Sequence, residues 1–316
     1  MTPLLVVIPT HLGDIDNAER LLKWIAELGQ VKRHSLMLAT DGAIPAERVR
    51  GLLDIVRGEF HSVRAIIVQT GVKGWPQAAN LMFRAVARQI ADGYKASWLW
   101  LEPDAVPLRA SWLNELAEEY EMGMRPFMGC LLDTEVPSPD LPARYMSGVA
   151  IWPQDTFRRL SDLWKDARFS APSNPKLNQE QRTQGVRAFD MIGAELIVPR
   201  AQHTPLIQNF WGTTYLTPPM FVSARTEAHP VNAVTLDMVR KDAVLFHRVK
   251  DVAGFLALWR LRLEHAKALV VEVAHKATGE ASRDVAEALG PATALKPQAA
   301  ERQRKATAQR AELVAV

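Results

Sequence analysis

Trp98-Leu99-Trp100-Leu101-Glu102-Pro103-Asp104 decides how the rest of this chain is read. Four apolar residues follow one another without polar alternation, the pattern of a strand covered on both faces, as in a parallel sheet. Pro103 cannot continue a central strand, and it biases Glu102 toward extended backbone. The predicted strand therefore ends on two carboxylates. In open α/β sheets, ligands bind at that carboxyl edge. Hard oxygen ligands at positions i and i+2 suit a divalent cation such as Mg2+ or Mn2+, and such a cation commonly holds a diphosphate. The same residues also fit a solvated strand-to-loop turn, and the run alone leaves both readings open.

Upstream of this run, strand and helix signals alternate. Leu4 to Ile8 is a buried-strand pattern closed by Pro9. A helix is predicted over Ile15 to Leu28, with Asp16 and Glu19 as a capping box and Gly29 just past its end. Ser35 to Ala39 reads as a second strand with Thr40-Asp41-Gly42 as its exit turn, Glu47 to Arg57 as a helix, and Val63 to Val68 as a third strand. Pro76 suits the first turn of a helix reaching about Ala91. Four strands with intervening helices argue for βαβ units, an α/β, doubly wound, mostly parallel sheet. Downstream the pattern loosens. Trp112 to Glu121 reads as helix, Phe127 to Leu132 and Val149 to Trp152 as strands, 165–188 as a long polar loop, and Phe255 to Val273 as a periodic helix before a tail rich in Ala, Gln, Lys and Arg.

Composition bounds the class. The 316 residues are 48% hydrophobic and 23% charged, ordinary for a globular protein. One cysteine, Cys130, excludes an internal disulfide and a cysteine-rich zinc site and fits a reducing compartment. No apolar run approaches the roughly 20 residues of a membrane span, and no cleavable leader is evident, so a cytoplasmic location is expected. A net charge of +3 permits an anionic partner without requiring one.

Four segments in collinear order carry a resemblance: Val7-Ile8-Pro9-Thr10-His11, Thr40-Asp41-Gly42, Gly74-Trp75-Pro76-Gln77-Ala78-Ala79-Asn80, and Glu102-Pro103-Asp104. Together they resemble the nucleotide-sugar glycosyltransferases of the GT-A fold, over roughly residues 1 to 250. The resemblance implies that Pro9, Thr10 and His11 hold the nucleotide, that Asp41 meets the base, and that Gly74 and Asn80 belong to the donor site. It makes Glu102-Pro103-Asp104 a variant of the family's Asp-x-Asp motif, with Asp104 the principal metal ligand and Glu102 facing the ribose or the metal. Phe246-His247-Arg248-Val249-Lys250-Asp251 resembles the element that closes such sites, which implies His247 as a further metal ligand and Lys250 as a contact of the departing diphosphate. Imidazole completes a mixed oxygen and nitrogen shell, and an ammonium is a good point charge for phosphate. As surface residues before the last helix, this pair also has a plain reading.

Ala188-Phe189-Asp190-Met191-Ile192-Gly193 resembles the acidic catalytic position of inverting members, with Asp190 as general base. An aspartate there also suits a helix N-cap. Tyr145-Met146-Ser147-Gly148-Val149 resembles the segment lining the sugar pocket, where Gly148 lets backbone approach a hydroxylated ligand; an ordinary strand-entry turn is the alternative. Trp75, Trp152 and Trp211 fall near the predicted site loops, and His203-Thr204 reads as a polar turn.

The expectation is therefore a sugar transferase using a nucleoside diphosphate sugar, with UDP the expected nucleotide, and Mn2+ or Mg2+. Residues 1–110 form its donor half, 111–254 the acceptor half of the same domain, 255–274 a C-terminal helix and 275–316 a tail. The length and the His203 to Gln208 segment resemble bacteriophage glycosyltransferases that decorate hydroxymethylated pyrimidines in DNA, which would place the protein in the host cytoplasm. Arg260, Arg262, Lys267, Arg302, Arg304 and Lys305 could then meet phosphates, or simply form solvated helix faces. A cell-surface or lipid-linked glycan is the rival acceptor. A sugar-nucleotide pyrophosphorylase would need a glycine-rich loop after the first strand, where His11-Leu12-Gly13-Asp14 has one glycine. A non-catalytic nucleotide-binding module is the remaining alternative.

Overall fold

The apolar runs pair as their patterning demands. β1 (Leu5–Thr10), β2 (Ser35–Asp41), β3 (Ser62–Val68) and β4 (Trp98–Trp100) lie side by side and parallel, in the order β3-β2-β1-β4. Between them run α1 (Ile15–Leu28), α2 (Ala46–Val56) and α3 (Gln77–Gly93). A computed structural model describes residues 2–72, 74, 76–133, 142–166, 169, 188–209, 236–249, 251–266 and 268. It divides into two units, Met1–Phe255 and Leu256–Val316.

Alternate residues of each central strand point to opposite faces. Val6, Ile8, Leu36, Leu38, Leu99 and Leu101 pack with residues of α1, α2 and α4 (Trp112–Met122). Leu5, Val7, Met37, Trp98 and Trp100 pack with Phe83, Val86 and Ile90 of α3. Both faces are covered, which is why the strands read as unbroken apolar runs. Trp98, Trp100 and Trp152 gather around Phe83, with ring centroids 4.8–5.4 Å from it. Trp152 is therefore core, and Trp75 and Trp211 lie outside the described residues.

The second half adds antiparallel strands to the same sheet. β5 (Val106–Pro107) leaves it, then β6 (Phe127–Asp133) and β7 (Arg144–Trp152) form a hairpin whose β7 pairs antiparallel with β4. After α5 (Thr156–Arg159), α6 (Phe189–Ile192) and α7 (Ala194–Ile197), β8 (Ala201–His203) closes the far edge beside β6. The large sheet thus has seven strands, β3-β2-β1-β4-β7-β6-β8. A second sheet joins β5 to β10 (Leu245–His247) and β10 to β9 (Ile207–Asn209). The described part of the second unit, residues 256–266 and 268, is helical; Arg262 lies 5.5 Å from the ring centroid of Trp259.

Several local expectations change. The Asp16–Glu19 capping box does not form: Asp14 is the N-cap of α1, and Glu19 pairs with Lys23 at 2.7 Å and with Arg48 at 3.0 Å. Gly29 does end that helix, at φ 66°. Tyr145 to Val149 is strand interior rather than a strand-entry turn. Thr204 is fully buried, its hydroxyl 2.6 Å from a Glu119 carboxylate oxygen. No helix among the described residues is long and apolar enough to cross a membrane.

Candidate active site

The carboxylate-bearing turn is built by the end of β4. Leu101 donates its N–H to Val7 O at 2.8 Å, then Ala105 N–H closes back on Glu102 O at 2.9 Å, so Glu102 and Asp104 flank a tight turn. The chain leaves it directly into β5, which pairs antiparallel with β10, Phe246 opposite Val106. Val249 N–H then reaches Asp104 O at 3.0 Å. This pairing carries His247 across 145 positions of sequence to the carboxylates. Its Nε2 lies 3.1 Å from Glu102 Oε2 and 3.5 Å from Asp104 Oδ1. One ligand atom from each of the three residues falls within 4.8 Å of the others.

The other face of the imidazole is fixed. Parallel pairing of β9 and β10 sets His247 opposite Asn209. Asn209 Oδ1 sits 2.6 Å from His247 Nδ1, and Ser147 Oγ donates to the same oxygen at 3.2 Å. With the Asn209 oxygen on Nδ1, that nitrogen donates to it and Nε2 faces the carboxylates. Burial opposes protonation of His247, but its hydrogen bonds to Asp104 and Glu102, with the charges of both, outweigh it and raise its pKa above the usual histidine value. A proton at Nε2 thus meets the same two carboxylates that a cation would. Two hard oxygens and one imidazole form a donor set that could hold a divalent cation. Replacing Asn209 by alanine frees the ring to turn and is expected to weaken Mn2+ binding by about 10- to 100-fold. Titration calorimetry checks this; unchanged affinity would mean Asn209 does not orient the ligand.

Gly148 explains the space beside this triad. Continuing the β4–β7 register past Trp100, which pairs with Ala150, brings Gly148 opposite Glu102. A Cβ on Gly148 would stand 3.2 Å from Glu102 Oε1, 3.3 Å from Phe189 Cζ and 3.8 Å from Asp190 Oδ2. Two carboxylates therefore face each other across the width of a methyl group, and only glycine leaves that gap open. Burial, then the charge of Glu102, push the Asp190 carboxyl up to about 6, while Arg248 pulls it down. Asp190 is not the N-cap of α6: Ala188 holds that position, and Asp190 Oδ1 accepts the neighbouring Met191 N–H at 3.0 Å.

A second group lies at the ends of β1 and β2, beside β4. His11 Nε2 is 2.5 Å from Asp14, and its Nδ1 accepts Gly13 N–H at 3.0 Å. The Asp14 hydrogen bond raises its pKa, burial lowers it, and Asp14 and Asp41 charges raise it further, so His11 and Asp41 share one electrostatic neighbourhood. Pro9 is half-buried, and Thr10 is buried with its hydroxyl unpartnered among the described residues. Gly74 adopts φ 90°, a conformation that glycine alone adopts readily, and its carbonyl accepts Ala78 N–H in the first turn of α3. Asn80 is fully buried. Its side-chain oxygen accepts Phe189 N–H at 2.8 Å. Lys250 lies outside the described residues, as do Lys267, Arg302, Arg304 and Lys305.

Sequence reasoning missed Ser147, Asn209 and Arg248. Ser147 stood in the quoted Tyr145 to Val149 segment without a role of its own, and Asn209 is a single polar residue with no motif to mark it. Arg248 follows His247 at φ 70°, a strained position for a side chain. Burial works against its charge, but Tyr145, Asp190 and Glu102 more than offset this, so it brings a permanent positive charge to the acidic site.

No protein-family model and no curated protein matches the sequence. Among solved structures the chain is similar to the bifunctional glycosyltransferase WbbM (12% identity, 79% of this chain and 46% of that one, TM-score 0.49). The chain thus spans under half of that protein's length. It is likewise similar to the galactosyltransferase LgtC, solved with donor and acceptor sugar analogues (11%, 79% and 91%, TM-score 0.46), and to mouse xyloside xylosyltransferase 1 (11%, 80% and 99%, TM-score 0.45).

Proposed function

We propose that this chain is a metal-dependent glycosyltransferase of the GT-A type, moving a sugar from a nucleoside diphosphate sugar to an acceptor hydroxyl. One observation carries the reading: Glu102, Asp104 and His247 converge at the carboxyl edge of a parallel sheet, with Asp190 facing them across Gly148. Residues 1–110 supply the donor half, with His11 and Asp41 toward the nucleoside, and residues 111–254 the acceptor half. Asp104, His247 and Glu102 would hold Mn2+ or Mg2+. Bound there, the cation neutralises charge building on the diphosphate. Arg248 adds a cation that needs no loading, and Lys250 is proposed to reach the departing phosphate. The acceptor oxygen attacks the anomeric carbon, the bond from that carbon to the diphosphate oxygen breaks, and the acceptor proton passes to Asp190. The nucleoside diphosphate leaves with the bonding pair.

The rival readings have less behind them. The loop after β1 is closed by His11 on Asp14 and has no glycine-rich cradle for a triphosphate. DNA as acceptor draws no support from the described residues, since Arg262 stacks on Trp259 and the tail bases lie outside them. Thermal unfolding with UDP, GDP, dTDP and CDP, each with and without Mn2+, tests the core of the proposal. A shift that requires both nucleotide and Mn2+ is expected; no shift with any nucleotide would overturn it. Incubating UDP-sugars with hydroxymethylated DNA and with oligosaccharides then separates the acceptors by mass.

A further inference from the structure

We propose that Asn80 is a positioning residue for Asp190, gripping its helix from a distant element so that the carboxylate is left for the reaction. This rests on the reading of Asp190 given above. The first turn of any helix leaves backbone N–H groups without partners. In α6 the N-cap is Ala188, whose methyl group cannot accept a hydrogen bond, and no side-chain cap forms from that position. The missing acceptor comes from Asn80, 109 positions away, whose Oδ1 takes Phe189 N–H at 2.8 Å. Its Nδ2 donates to Phe169 O at 3.4 Å. One turn further along α3, Phe83 stacks on the Phe189 ring at 3.8 Å and 6°. Positions three apart on a helix share a face, so α3 holds one residue twice, by its backbone and by its ring. Asp190 is the next residue. Its Oδ1 accepts Met191 N–H at 3.0 Å, and its Oδ2 faces the gap over Gly148.

Asn80→Ala removes the grip on Phe189 N–H. The readouts are UDP release from UDP-glucose and UDP-galactose, and calorimetric binding of UDP with Mn2+. The turnover rate is expected to fall about 100-fold, the loss that a displacement of about 1 Å costs a reacting group. UDP–Mn2+ affinity stays at the wild-type value. Asn80→Asp is the second variant: burial keeps it protonated, so it offers one oxygen to Phe189 N–H and a hydroxyl to Phe169 O. It is expected to regain most of the rate. In an Asp190→Asn background, Asn80→Ala should cost nothing further. A wild-type rate in Asn80→Ala while Asp190→Asn is inactive overturns the positioning role alone. So does equal loss of rate and UDP–Mn2+ affinity, or a full additional loss in the double variant. An active Asp190→Asn instead removes the reading of Asp190 on which the role rests.

Discussion

Asp104→Ala is expected to abolish sugar transfer, by more than about 1,000-fold, while leaving the fold intact. Asp104 is nearly buried, and its carboxylate is one of three groups aimed at a common centre. Removing it leaves one carboxylate and one imidazole, too few to hold a weakly binding divalent ion at working concentrations. The loss then compounds, because charge on the leaving diphosphate goes unneutralised at the moment the glycosidic bond breaks. Structure should survive, since the turn is held by backbone bonds: Ala105 N–H to Glu102 O, and Val249 N–H to Asp104 O. The check is threefold: UDP release, Mn2+ binding by calorimetry, and the unfolding midpoint. Wild-type turnover in this variant, or full activity after exhaustive chelation, would discard the metal model.

Asp190→Asn should lower turnover by about 100- to 10,000-fold, the range a positioned general base contributes, and it should also make the protein more stable at neutral pH. Both follow from one environment. Burial and Glu102 hold the Asp190 carboxyl near 6, well above an ordinary aspartate. A raised carboxyl pKa means the folded state binds more protons than the unfolded state between the ordinary value and about 6. Stability therefore falls as pH rises through that window, and an ionised Asp190 is a cost at pH 7. A neutral amide removes the cost and the base together. The rate of the native enzyme should rise with pH through about 6, as the carboxylate form fills, and the asparagine variant should lose that limb. Turnover measured from pH 5 to 8, with unfolding midpoints at pH 7, tests both halves. A variant that keeps the pH limb, or that unfolds earlier than wild type, contradicts this account.

The gain from removing a functional carboxylate is a common pattern, because a site that needs charges close together holds them against their own repulsion. Gly148 shows the same pressure in the backbone. It sits in the interior of β7, where glycine weakens a strand, yet any side chain would enter the gap between Glu102 and Asp190. Arg248, at positive φ beside His247, is the counterpart on the cationic side.

What the sequence determined by itself was the parallel part of the sheet and its acidic end. Strand burial is a local pattern: an apolar run without polar alternation marks a strand covered on both faces, although β1 runs on through Pro9 to Thr10. The four parallel strands, their helices and the pair Glu102 and Asp104 follow from such runs. Tertiary structure decided the partners. His247 meets that pair only because β5 leaves the turn and finds β10, and nothing in either two- or three-residue strand announces the match. Asn209 enters only through the β9–β10 register. Asn80 meets Phe189 N–H only because its face of α3 packs on Phe189. Periodicity reports which residues are buried, whereas the chemistry of a site depends on which buried residues meet, and that is fixed by long-range pairing.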